Sequence, residues 1–91
     1  MSELRVLHQH MREVLADVQA KRKEASDSSW ILREQEAMLQ AVNLERVRRQ
    51  RAPITMETLI RREQLAVGHT DYSVKFALYC AELVLDLPAR P

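Results

Sequence analysis

Apolar side chains recur along this chain with the three-and-four spacing of an α-helix, and the rhythm is broken only where Ser/Asp, Pro or Gly residues stand. The pattern predicts four helices, near residues 2–25, 29–50, 55–67 and 70–87, and no sheet. In the first, Leu4, Leu7, Met11, Val14 and Val18 form a heptad-like stripe with Leu15 beside the seam. The stripe covers little more than two heptads, too few for an independent coiled coil, so packing in a bundle is expected. Ser2 suits the cap position, Glu3 the positive end of the helix dipole, and Lys21, Arg22 and Lys23 the negative end.

Ser26–Ser29 interrupts the periodicity with cap-forming residues, and Trp30 opens the second helix. So short a loop predicts an antiparallel hairpin of helices one and two. Ile31, Leu32, Met38, Leu39 and Val42, with Gln35 among them, are the expected buried face. Beyond Val42 the same stripe continues as Arg46 and Arg49, which leaves the last two turns free to project past the core. Pro53 ends the helix, because the residue before a proline is pushed out of the helical region.

The third helix has clearer punctuation. Thr55 is the expected N-cap, and Ile54 can pack on Leu59 as a hydrophobic staple. Met56, Leu59, Ile60 and Val67 make its inner face, with Glu63 in the same stripe and expected at the rim, the commoner alternative to pairing with an arginine. Gly68, the only glycine in the sequence, stands where a residue with positive φ would end the helix. Thr70 as N-cap, with Asp71 in the first turn, accounts for the Gly68–Asp71 stretch without a His–Asp catalytic pair.

The fourth helix is apolar around most of its circumference, which marks it as the core element of the fold. Asp71, Lys75, Glu82 and Asp86 fall in one narrow stripe, the only part of its surface expected to meet water. The uncharged run from Phe76 to Ala81 is far shorter than the roughly 18 residues of a membrane span. Ala89–Pro91 is expected to fray. The fold class is therefore all-α: a single helical domain over residues 1–91, built as a small four-helix bundle or as an N-terminal hairpin followed by two shorter helices.

Composition adds limits. A chain of 91 residues with one Phe, one Trp and two Tyr must be held together by many well-packed aliphatics. A net charge of +1 gives no field to steer a polyanion. The single cysteine, Cys80, reads as a small core residue in an intracellular protein, cytoplasmic or nuclear, and no secretory signal is visible at Met1. His8 and His10 point to opposite sides of a helix and cannot share an ion. No metal, cofactor or small-molecule substrate is implied, and no constellation of nucleophile, base or paired carboxylates points to an enzyme.

Two surfaces are left as candidates. If helix four needs neighbours on four sides and only three helices are present, Val74, Phe76, Leu78, Val84, Leu85 and Leu87 should form an apolar surface for a protein partner or a second copy. The chain would then be a non-catalytic small subunit, adaptor or assembly factor. The alternative is a nucleic-acid-binding adaptor using Arg46, Arg48, Arg49 and Arg51, enlarged by Arg61 and Arg62. At helical spacing the first four cations point all the way round, which favours a dipole-answering, solvated helix tip over a phosphate-binding face.

Overall fold

The structure, a computed structural model, describes residues 2–22 and 29–89. It contains four helices: α1 (Glu3–Arg22), α2 (Trp30–Arg48), α3 (Met56–Gln64) and α4 (Tyr72–Val84), with no strand among the described residues. The Ser/Asp break falls mostly at 26–28, outside the described residues. α4 packs against each of the other three helices, whereas α1 and α3 do not pack against each other. Of its 13 residues, eight are buried, and this explains why so apolar a sequence sits at the centre.

The helix ends follow local chemistry. Ser2 Oγ accepts a bond from the Arg5 backbone N–H at 3.1 Å, and Thr55 Oγ1 accepts one from Thr58 at 3.3 Å, so both predicted caps are present. Ile54 packs half-buried against the core to which the fully buried Leu59 belongs. Gly68 has φ 88°, as its place after α3 requires, although the α-helix itself stops at Gln64 and continues in tighter turns. At the start of α4 the N-cap is Asp71 rather than Thr70.

α2 and α4 stop before their prolines do any work. After α2, Gln50 takes a left-handed conformation (φ 59°), the Gln50 N–H bonds Val47 O and the Arg51 N–H bonds Arg46 O. After α4, Asp86 (φ 57°) repeats the arrangement, with its N–H directed to Leu83 O and the Leu87 N–H to Glu82 O. Both are Schellman motifs closed without glycine, at a cost of about 1–2 kcal/mol each in backbone strain.

The buried rows are spaced in fours. Leu7, Met11 and Leu15 are the enclosed residues of α1, while Leu4, Val14 and Val18 are only half-buried, so the heptad-like seam lies to one side of the true inner face. In α2 the inward row is Trp30, Glu34, Met38, Val42 and Arg46. Ile31 and Leu32, expected inside, are exposed instead. Spacing by four is the ridge along which helices commonly interdigitate, and α2 follows it even though this turns charged residues inward and aliphatic ones outward. Its last turns do not project, because Glu45 and Arg46 are both buried. Ala89, expected in a frayed tail, packs half-buried on the core, and residues 90–91 lie outside the described residues.

Phe76 is fully enclosed and stacks obliquely on Tyr72, with ring centroids 5.7 Å apart, whereas Val74 on the same helix is exposed. Phe76→Ala should therefore cost about 3–5 kcal/mol and lower Tm by more than about 12 °C, while Val74→Ala should move it by less than about 4 °C. Differential scanning calorimetry of the two variants checks this. Equal shifts would mean that α4 is enclosed along a different side.

Candidate functional site

The six apolar residues of α4 and its C-terminal flank do not form one surface. Phe76 and Val84 are completely enclosed by this chain, Leu78 and Leu85 are half-buried, and only Val74 and Leu87, near opposite ends, are exposed. The expected polar stripe is also altered: Glu82 is buried, and Lys75 is half-buried. α2 contributes the long side chain of Arg46 as well as aliphatics to the packing around α4.

Arginines gather at the C-terminal end of α4. Arg46, 7% exposed, donates from Nη1 to Leu83 O at 2.7 Å and to Asp86 Oδ1 at 2.7 Å, and from Nε to Ala52 O at 2.6 Å. Arg51 Nη1 donates to Val84 O at 3.0 Å and stands 3.5 Å from Asp86 Oδ2. Arg62, on α3, donates from Nη2 to Leu87 O at 2.8 Å. Two guanidinium groups thus meet the carbonyl end of α4, the negative pole of its dipole, and a third holds the chain just beyond it. They answer the dipole of a neighbouring helix rather than solvating the tip of their own. Arg48 and Arg49 both hold Glu45, at 2.8 and 3.0 Å, Arg49 also reaches Glu3 at 3.3 Å, and Arg61 pairs with Glu57 at 2.6 Å. The six cations do not share one open face, and each already has an oxygen partner.

A third location was not singled out by the sequence. Between the first turn of α2 and the end of α3 lies a groove of about 350 Å³, with Ile31 and Val67 on its sides and Glu34, Glu63 and Tyr72 at its base. Glu63 is buried, not at a rim, and its partners are neutral: Gln35 Nε2 donates to Oε1 at 2.6 Å and the Tyr72 hydroxyl donates to Oε2. Glu34 is paired with Arg22 at 3.3 Å. Burial pushes the Glu34 carboxyl above its usual range, Arg22 opposes the shift and the charge of Glu63 adds to it. The Tyr72 hydroxyl is likewise raised, by burial first and then by its bond to Glu63 and the charge there. Glu63 stands in the inner stripe of the third helix, where the rim is the expected alternative to pairing; for Glu34 only the four-residue spacing from Trp30 to Glu34 to Met38 points inward.

The remaining candidate groups are accounted for locally. His8 Nε2 lies 3.1 Å from Val74 O, His10 and His69 are exposed, and no metal-binding group of three His, Cys, Asp or Glu side chains exists among the described residues. Cys80 is a buried free thiol whose pKa burial raises strongly, which keeps it protonated and unreactive. Among the described residues no helix is long and apolar enough to cross a membrane. No family model matches the chain, and no curated protein or solved structure resembles it closely enough to bear on these sites.

Two outcomes follow from the buried charges. Arg46→Ala removes three charge-assisted bonds and leaves Leu83 O and Ala52 O without this donor, so it should cost about 2–4 kcal/mol by urea unfolding, against less than about 0.5 kcal/mol for Arg61→Ala. Glu34 has the opposite sign. Its raised folded-state pKa means that its contribution is most favourable below pH 4.5 and is lost as pH rises through the raised value. Glu34→Gln should accordingly melt close to the wild type at pH 4 and above it at pH 7.5; a lower Tm at pH 7.5 would show that Arg22 more than offsets the burial of the carboxylate.

Proposed function

We propose that this chain is a non-catalytic helical interaction protein, a small subunit, adaptor or assembly factor that docks through aliphatic side chains on the outer side of α2 and in the turns that follow α3. The observation that carries the reading is the outward display of Ile31, 61% exposed, and Val67, 64% exposed, on two sides of one groove. Leu32, Leu44 and Val47 on α2 and Leu65 after α3 are exposed as well. Single exposed aliphatics are ordinary, but facing aliphatics across a concavity offer a partner a place to bury side chains on both walls. The apolar surface is thus assigned to α2 and the turns after α3 in place of α4, whose aliphatics are largely consumed by the core. An intracellular setting, cytoplasmic or nuclear, agrees with a lone enclosed thiol. Binding of nucleic acid gains no specific support, since the arginines are committed to carbonyl and carboxylate oxygens of this chain.

The double variant Ile31→Ser, Val67→Ser tests the reading. Both side chains are exposed, so Tm should stay within about 8 °C of wild type. Light scattering of the purified chain and quantitative recovery of its partners from source cells should show at least about tenfold less association for the variant. A wild-type chain that is monomeric and recovers nothing reproducibly, or a variant that associates as well as wild type, would overturn the proposal.

A further inference from the structure

Resting on that reading, we propose that the groove between the start of α2 and the end of α3 receives a cationic side chain, a lysine or arginine, projecting from an apolar segment of a protein partner. The recognition chemistry is layered by depth. Glu34 and Glu63, 4% and 7% exposed, are the buried acids of the lining, and among the described residues the one cation lining the groove is Arg22, whose side chain is 55% exposed to water. Among the described residues the lining therefore has one more carboxylate than it has guanidinium groups. Gln35 and Tyr72 satisfy Glu63 with hydrogen bonds but bring no positive charge. A cation entering from outside supplies the missing charge without having to displace a neutral donor.

Shape and side walls narrow the ligand further. At about 350 Å³ the groove stands at the lower end of the roughly 300–1,000 Å³ of small-molecule pockets, room for one long side chain and part of its neighbours. Ile31 and Val67 offer aliphatic walls along which the methylene stem of lysine or arginine can lie while its head reaches the carboxylates. Gly68 keeps the α3 side open, since even a Cβ there would meet nothing within 4 Å. A free metal ion would use the carboxylates but leave both aliphatic walls unused. An acidic or wholly apolar segment would leave the charge at the base uncompensated.

The test uses the full chain, labelled with nitrogen-15, and three probes: the peptide acetyl-Leu-Lys-Leu-amide, its norleucine analogue, and calcium chloride. The lysine peptide should shift the amide signals of Ile31, Glu34, Glu63 and Val67 with a Kd about tenfold lower than that of the norleucine peptide, the worth of one charge-assisted contact. Glu34→Gln should abolish that preference while leaving the remaining spectrum intact. Equal binding of the two peptides would overturn the cation assignment and leave the apolar docking surface standing. No shift at the groove with either peptide would overturn the assignment, and the Ile31/Val67 variant would then decide separately whether the surface docks anything. Saturation by calcium chloride would identify an inorganic cation site and overturn it too. Lysine-peptide binding seen only in a Lys23→Ala variant would give the groove to a lysine of this same chain, with the same result for the proposal.

Discussion

The carbonyl end of α4 has to be satisfied inside the protein, and the rest of the architecture is arranged around that requirement. A helix that is apolar on most sides can be central only if its terminal peptide groups, which have no partner within the helix, find donors where water is scarce. Here the last two carbonyls of α4 receive guanidinium groups from the last turn of α2 and from the turn after it, while Arg62 of α3 holds Leu87 O just beyond the helix. Arginine suits the task because it keeps its charge when enclosed and presents several N–H groups in one plane. Arg46 uses this fully, binding Leu83 O, Asp86 and Ala52 O with one side chain. The contact therefore ties the end of α4 to the path out of α2.

Much of this was legible along the chain and some was not, for identifiable reasons. The number and order of the helices, the centrality of α4, the caps at Ser2 and Thr55 and the positive φ of Gly68 all rest on local signals: periodicity, a hydroxyl before a helix, a glycine after one. The two Schellman ends escaped because Gln50 and Asp86 carry no mark of a left-handed residue; the nearby prolines marked the breaks but not their geometry. The inner side of α2 escaped for a different reason. Its aliphatics are spread around the helix, and Ile31 and Leu32 look as buryable as Met38 and Val42. What decides the orientation is α4, whose carbonyls attract Arg46, and that contact spans 37 residues in sequence.

Once Arg46 is drawn inward, helical geometry carries Val42, Met38, Glu34 and Trp30 with it along the same ridge. Glu34 then comes to rest near Arg22 and Glu63, while Ile31, Leu32, Leu44 and Val47 are turned toward solvent. The exposed aliphatics and the acidic floor of the groove are thus two results of one rotational setting of α2. A different setting could bury Ile31 and Leu32, but it would remove Arg46 from the end of α4 and take its charge-assisted donor from Leu83 O.

This coupling places the stable and the less stable parts of the fold at opposite ends of α2. At its C-terminal end every guanidinium has a carboxylate within reach: Arg46 and Arg51 meet Asp86, and Arg48 and Arg49 meet Glu45. Arg46 and Glu45 are themselves buried, so removing a partner from either is costly. At the N-terminal end Glu34 is held by a mostly exposed arginine and is pushed toward its neutral form by burial and by Glu63. Burial of an incompletely balanced carboxylate works against folding, whereas a partner that supplies the missing charge turns the same residue into a contributor to binding. Residues that are poorly satisfied in the free chain, beside aliphatics that the core does not use, therefore make the N-terminal end of α2 the part of this surface where association would gain most, and the arginine-held end the frame that keeps it in place.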